Sequence, residues 1–142
     1  MKQLYSSGLI LLVLLFTACH PKTASTESDE IVGNDRDAHG CIGSAGYTWS
    51  KLRKECIRPF EVGLQMTDVQ HVGATGVAYL VAVGGNDSKE VFLPSGGESI
   101  LLLKKGKKWV DANEEYTLRE PMDGSYELYD AEGVLLFKTI KP

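Results

Sequence analysis

The apolar positions in the second half of the chain fall into short segments of strand length set between turn residues. At 62–66, Val62, Leu64 and Met66 alternate with Gly63 and Gln65, the two-residue period of a half-buried strand. Segment 76–83 reads GVAYLVAV and is apolar on both faces, which predicts a central strand covered on both sides. Gly84-Gly85-Asn86-Asp87 then makes a turn. Further strand segments follow at 90–93, 98–103, 109–110, 115–119, 125–129 and 134–140. The turns between them hold Pro94-Ser95-Gly96-Gly97, Lys104-Lys105-Gly106-Lys107-Lys108, Asp111-Ala112-Asn113, Asp123-Gly124 and Asp130-Ala131-Glu132-Gly133. About eight short strands in chain order predict a mainly β domain, an antiparallel meander in a sandwich or small barrel. The last strand is expected to tie the C-terminus into the sheet.

Between residues 38 and 60 the pattern changes. Gly40, Gly43 and Gly46 punctuate AHGCIGSAGYTWSKLRKECIRPF and predict a compact loop. Thr48 or Ser50 is placed to cap a short helix through Lys51, Leu52, Arg53, Lys54 and Glu55. Pro59 stops that helix from running past Arg58. Tyr47, Trp49, Leu52, Ile57 and Phe60 supply the apolar face of this module. Ahead of it, residues 19–37 are rich in Ser, Thr and acidic side chains and read as a tether. The expected layout is therefore a single globular domain over 38–142, with a Cys loop and helix at 38–60 and β structure at 61–142.

The N-terminal segment has a different character. Lys2 is followed at 8–16 by GLILLVLLF, too short to span a bilayer as a helix, which takes about 20 residues. A basic start and a short apolar run match a secretory signal peptide. Leu15-Phe16-Thr17-Ala18-Cys19 resembles the lipobox of bacterial lipoproteins. The resemblance implies cleavage after residue 18, lipid on the Cys19 thiol and three acyl chains in the mature form. Stable attachment takes two or more membrane signals, so such a protein stays anchored outside the cytoplasm.

Removing 18 of 142 residues leaves 124 and loses one charge, Lys2, so the net charge moves from −4 to −5. That balance argues against nucleic acid as a partner, because phosphate binding wants a basic surface. Three cysteines are an odd number for an oxidising compartment. With Cys19 given to lipid, Cys41 and Cys56 remain, as a disulfide, as two free thiols, or as part of a metal site. A metal site needs two more ligands, and His39 and His71 show no recognisable spacing.

Little else points to catalysis. Neither a GxSxG elbow nor an HExxH stretch is present, and no loop is built to cradle phosphates. The expectation is a protein that is not an enzyme and needs no cofactor or metal. His71 reads as a solvated loop residue and His39 as a partner for a loop carbonyl. The basic turn of Lys104, Lys105, Lys107 and Lys108 is either a solubilising hairpin tip or a contact for an anionic partner. Trp109 beside it is expected in the core. A glycan-binding module needs an exposed aromatic row, for which Tyr79, Trp109, Tyr116, Tyr126 and Tyr129 are the candidates.

The segment HGCIGSAGYTWSKLRKECIRPFE resembles a motif of small envelope lipoproteins of bacteroidete-type bacteria. His39, Gly40, Cys41, Ser44, Ala45, Gly46, Tyr47, Trp49, Cys56 and Arg58 carry the likeness. Related segments often have a cysteine where this chain has Ser50, so a pairing that uses that position does not transfer. The resemblance implies the outer membrane, on its periplasmic face or at the cell surface. The acidic cluster Glu27-Ser28-Asp29-Glu30 resembles a surface-display signal of such lipoproteins. No activity comes with the family, so the expected role is binding or structural, with an envelope protein or glycan as partner. A second resemblance concerns lipid-anchored β-barrel inhibitors of lysozyme. Pro94-Ser95-Gly96-Gly97-Glu98-Ser99 with Lys104 and Lys105 is similar to their Ser-Gly loop and lysine, without their SGxxY tyrosine. It implies inhibition of a secreted hydrolase as the alternative function.

Overall fold

Strands β1 (Thr48–Ser50) and β2 (Glu55–Ile57) of the computed structural model pair antiparallel as a small hairpin. The structure describes residues 35–140 apart from 72, 74, 85 and 86, so Cys19 and the tether up to residue 34 lie outside the described residues. The segment expected as a helix, Lys51–Glu55 in the sequence reading, is instead the hairpin turn and the first residue of β2. Ser50 Oγ accepts the Arg53 N–H at 2.9 Å, and Lys54 takes φ 58°, outside the right-handed helical range. A side-chain turn and one left-handed residue thus reverse the chain where propensity alone favours a helix. The helix comes later, as α1 (Pro59–Val62). Pro59 stands at its start, where a missing N–H costs nothing and a fixed φ helps, so this proline begins a helix where the sequence suggested an end. Gly63 then passes close to the barrel: a Cβ there would lie 3.1 Å from Tyr79 Cβ and 3.3 Å from the Leu80 carbonyl oxygen of β4.

Ahead of the hairpin, a 3-10 turn at Gly43–Ala45 and Cys41 complete the module. Cys41 and Cys56 are disulfide-bonded with Cα atoms 5.5 Å apart, which resolves the choice between pairing, free thiols and metal. Asp37 accepts the backbone N–H of His39 at 2.8 Å and of Cys41 at 2.9 Å, fixing the approach to the first cysteine. Asp35 receives both the N–H and the hydroxyl of Ser44.

The remaining strands are β3 (Leu64–Asp68), β4 (Val77–Ala82), β5 (Ser88–Phe92), β6 (Ile100–Lys105), β7 (Lys108–Val110), β8 (Tyr116–Arg119), β9 (Glu127–Asp130) and β10 (Leu135–Thr139). Each pairs antiparallel with the next, and β10 also pairs with β3, closing an eight-stranded barrel. The eight-strand meander is as the alternation predicts, and closure selects the barrel over the sandwich. Met66, Ala78, Leu80, Val91, Leu102, Trp109, Leu118, Leu128 and Phe137 fill the interior, one or two from each strand, as alternation in a small barrel requires.

A second cluster lies outside the barrel wall. Ile57 from the module buries against Val81 and Phe92, with Leu52 and Tyr79 packed around them. This accounts for the double-sided apolar character of segment 76–83: Ala78 and Leu80 face the interior, while Tyr79 and Val81 meet the module. In the chain-entropy account a disulfide closing about 15 residues contributes roughly 3 kcal/mol. Replacing Cys41 and Cys56 together by Ala should lower the urea midpoint by a corresponding amount, and an unchanged midpoint would refute a stabilising role.

Candidate functional site

The module reaches the barrel through one buried carboxylate. Strand alternation turns Glu90 outward from β5, directly beneath the β1–β2 turn, and its side chain is fully buried. Ser50 Oγ and Ser99 Oγ each donate to it at 2.5 Å, the Lys51 N–H at 2.7 Å and the Leu52 N–H at 3.3 Å. Four donors saturate the acceptor capacity that makes burial of a carboxylate tolerable. Lys51 extends the clamp, donating to Glu98 at 2.9 Å and to the Ser99 carbonyl at 3.0 Å. Lys51 holds the Glu98 carboxyl below its ordinary value, by hydrogen bond first and by charge second.

Where the module leaves the wall, a groove opens. One part, about 690 Å³, is lined by Tyr47, Phe60, Tyr79, Phe92, Pro94 and Gly97. The adjoining part, about 560 Å³, is lined by His39, Trp49, Lys51 and Glu98, and shares Thr48 and Gly97 with the first. Arg58 sits 4.5 Å from the Tyr47 ring centroid and donates to Glu61, whose carboxylate raises the Arg58 pKa. The His39 ring stacks on Trp49 at 4.3 Å with planes 8° apart, in place of the loop-carbonyl role expected for it. His71, read as a loop residue, is exposed and bonds Asp68 at 3.0 Å.

The four lysines of the basic turn divide by face. Lys104 shares the interior face of its β7 neighbour Trp109, 5.9 Å from that ring, and pairs with Asp87 at 2.9 Å. Lys105 and Lys108 face outward as direct neighbours, and Lys105 pairs with Glu114 at 2.7 Å. Lys105, Lys107 and Lys108 line a pocket of about 530 Å³ on the outer wall, together with Arg119, Pro121 and Tyr129. On the interior side, the ammonium of buried Lys89 lies 5.0 Å from the Trp109 ring and 6.0 Å from Tyr126.

Trp109 is in the core, as its strand position predicts, and its buried indole N–H has no hydrogen-bond partner among the described residues. The five rings considered for glycan stacking do not form a row. Trp109, Tyr116 and Tyr126 pack with the barrel core, Tyr79 packs with the module, and Tyr129 lies under Arg119 on the outer wall. Sequence reasoning missed Glu90, Lys89 and Arg119. A charged pair within SKEVF reads as solvent-facing, and the available signal was the double-sided apolar strand beside it, which implies a covering layer. Among the described residues no three His, Cys, Asp or Glu side chains converge as metal ligands.

Comparison of the chain with protein-family models, with curated proteins and with solved structures finds no match.

The hydrogen bonds to Glu90 and those to Asp37 each make a measurable claim. Glu90→Gln places an NH₂ among donors and should cost about 2–3 kcal/mol in urea unfolding; a loss below about 0.5 kcal/mol would contradict the role given to Glu90. The second concerns acid. The Asp37 carboxyl is held below its ordinary value chiefly by the Cys41 N–H, with His39 adding to it and burial opposing. A carboxyl with a lowered folded pKa stabilises above its unfolded value, about 3.9, and the contribution fades as pH falls through the folded value. The Cys41 amide resonance should therefore shift as pH falls below about 4. A Cys41 amide that does not move between about pH 5 and about pH 2 would contradict the assignment.

Proposed function

We propose that this chain is a membrane-anchored cell-envelope lipoprotein whose role is binding or structural and not enzymatic. The observation that carries the reading is the Cys41–Cys56 disulfide. It accounts for two of the three cysteines and leaves Cys19, three residues past the end of the apolar run, as the remaining thiol. Lipid on Cys19 gives that thiol a purpose, and the outer membrane is where the reading puts the protein. The module and barrel then present a rigid outer surface to an envelope partner, a protein or a glycan.

The alternative, inhibition of a secreted hydrolase such as lysozyme, would use loop 94–99 together with Lys104 and Lys105. The loop precedes β6 and the two lysines end it, roughly 15 Å apart by strand rise. Within the loop Ser99 is spent on Glu90, and Lys104 is turned toward Asp87. That placement favours the first reading.

The test is the anchor. In bacterial cells the wild-type chain should sediment with membranes and incorporate labelled palmitate, and Cys19→Ser should lose the label and appear in the soluble fraction. A wild-type chain that carries no label and stays soluble would overturn the reading. Added purified protein that leaves lysozyme activity unchanged at micromolar concentration would remove the alternative.

A further inference from the structure

We infer that the outer wall at β7 and β8 is a binding site for a phosphoryl group, formed by Lys107, Lys108 and Arg119 over Tyr129. Lys108 and Arg119 are direct cross-strand neighbours, and Lys105 stands next to Lys108 in the same row. Like charges placed directly opposite each other destabilise a sheet; the row ends at Glu127, opposite Arg119 on β9, and an anion over Lys108 and Arg119 would relieve what that one carboxylate does not. The cost is notable in a chain of net charge −4.

The nearby carboxylates are already engaged. Glu114 takes Lys105, and Glu127 receives the Tyr129 hydroxyl at 2.6 Å and the Lys138 ammonium at 2.9 Å. These two donors hold Glu127 below its ordinary value, Tyr129 first and Lys138 second. Glu120, which also lines the pocket, interacts with the Tyr126 hydroxyl. Among the described residues Lys107, Lys108 and Arg119 make no ion pair, and they are the cations that a ligand in the pocket of about 530 Å³ would meet.

Arg119 decides the class of ligand. Its guanidinium lies 4.5 Å from the Tyr129 ring centroid, and stacking presents the planar fork in a fixed attitude. A fork with two ammonium groups beside it suits a dianion with several acceptor oxygens. A phosphomonoester carries about −1.5 to −2 at pH 7, whereas a carboxylate carries one charge on two oxygens. The phosphoryl group has two sources to distinguish, a soluble phosphate and a lipid headgroup. The site uses neither Cys19 nor the module, so its failure and the failure of the anchor reading are separate results.

The experiment titrates the full chain with inorganic phosphate, glucose 6-phosphate and acetate, following the Arg119 Nε–H and Tyr129 resonances. Phosphatidylcholine vesicles with and without phosphatidic acid form a second arm, the plain vesicles accounting for attachment through the apolar N-terminal run. Saturable shifts with either phosphate, absent with acetate, support the site. Arg119→Gln should then weaken binding about 10- to 100-fold, the loss of one charge-assisted fork. Lys108→Gln should weaken it too, while Lys104→Gln, altering a lysine outside the pocket, should leave it unchanged. Binding only to phosphatidic acid vesicles, lost in Arg119→Gln, supports the same site with a lipid source. Shifts of equal size with acetate, no saturation with any phosphate probe, or vesicle binding that survives Arg119→Gln in a folded protein would each overturn the proposal. Should Arg119→Gln fail to fold, Lys108→Gln carries the same test.

Discussion

A single carboxylate with no access to solvent organises this fold. Glu90 projects from the outside of the barrel wall and would be untenable there without the four donors that surround it. Three of those donors belong to the β1–β2 hairpin and one, Ser99, to the loop residue just before β6, so the residue is satisfied only when module, β5 and that loop are assembled together. The apolar contacts of Ile57 with Val81 and Phe92 drive the module onto the wall without specifying its position. The hydrogen bonds to Glu90 supply the register that the apolar contacts lack. The disulfide holds the loop end of the same module, so its two ends are fixed by different chemistry.

Lys89, the neighbour of Glu90, has the opposite placement. Alternation sends it into the barrel, where its ammonium faces the rings of Trp109 and Tyr126. Two adjacent charges are thus buried on opposite sides of one strand, each by a different means: hydrogen bonds for the carboxylate, aromatic faces for the ammonium. The same alternation sorts the basic turn, taking Lys104 toward the interior and leaving Lys105 and Lys108 on the outer wall beside Arg119. A run of lysines that looks uniform along the chain becomes two environments once it is pleated.

The barrel strands were legible because alternating apolar positions and turn residues recur at short intervals, and each observed strand from β3 to β10 overlaps one of those segments, although β6 runs on to Lys105 and β7 begins at Lys108, inside the stretch read as a turn. Closure was not legible, because it rests on β10 meeting β3, a pairing of residues about 70 positions apart with no local signature. The module was read correctly as a stapled unit and wrongly as a helix at 51–55. Helix formers occupy that stretch, but the Ser50 hydroxyl and the left-handed Lys54 settle a turn there. Buried charge was the hardest to see. Nothing in the types Lys89 and Glu90 distinguishes them from surface residues, and only the covering layer implied by Tyr79 and Val81 hinted at a second packing face.

If Glu90 joins module and barrel into one cooperative unit, their backbone amides must open together. Native-state hydrogen exchange measures this directly. The Lys51 and Leu52 amides, bonded to Glu90, should exchange with the same opening free energy as those of Leu80 and Val91 within the barrel. Exchange of Lys51 and Leu52 orders of magnitude faster, with Leu80 and Val91 still protected, would show that the module opens alone and would contradict the account.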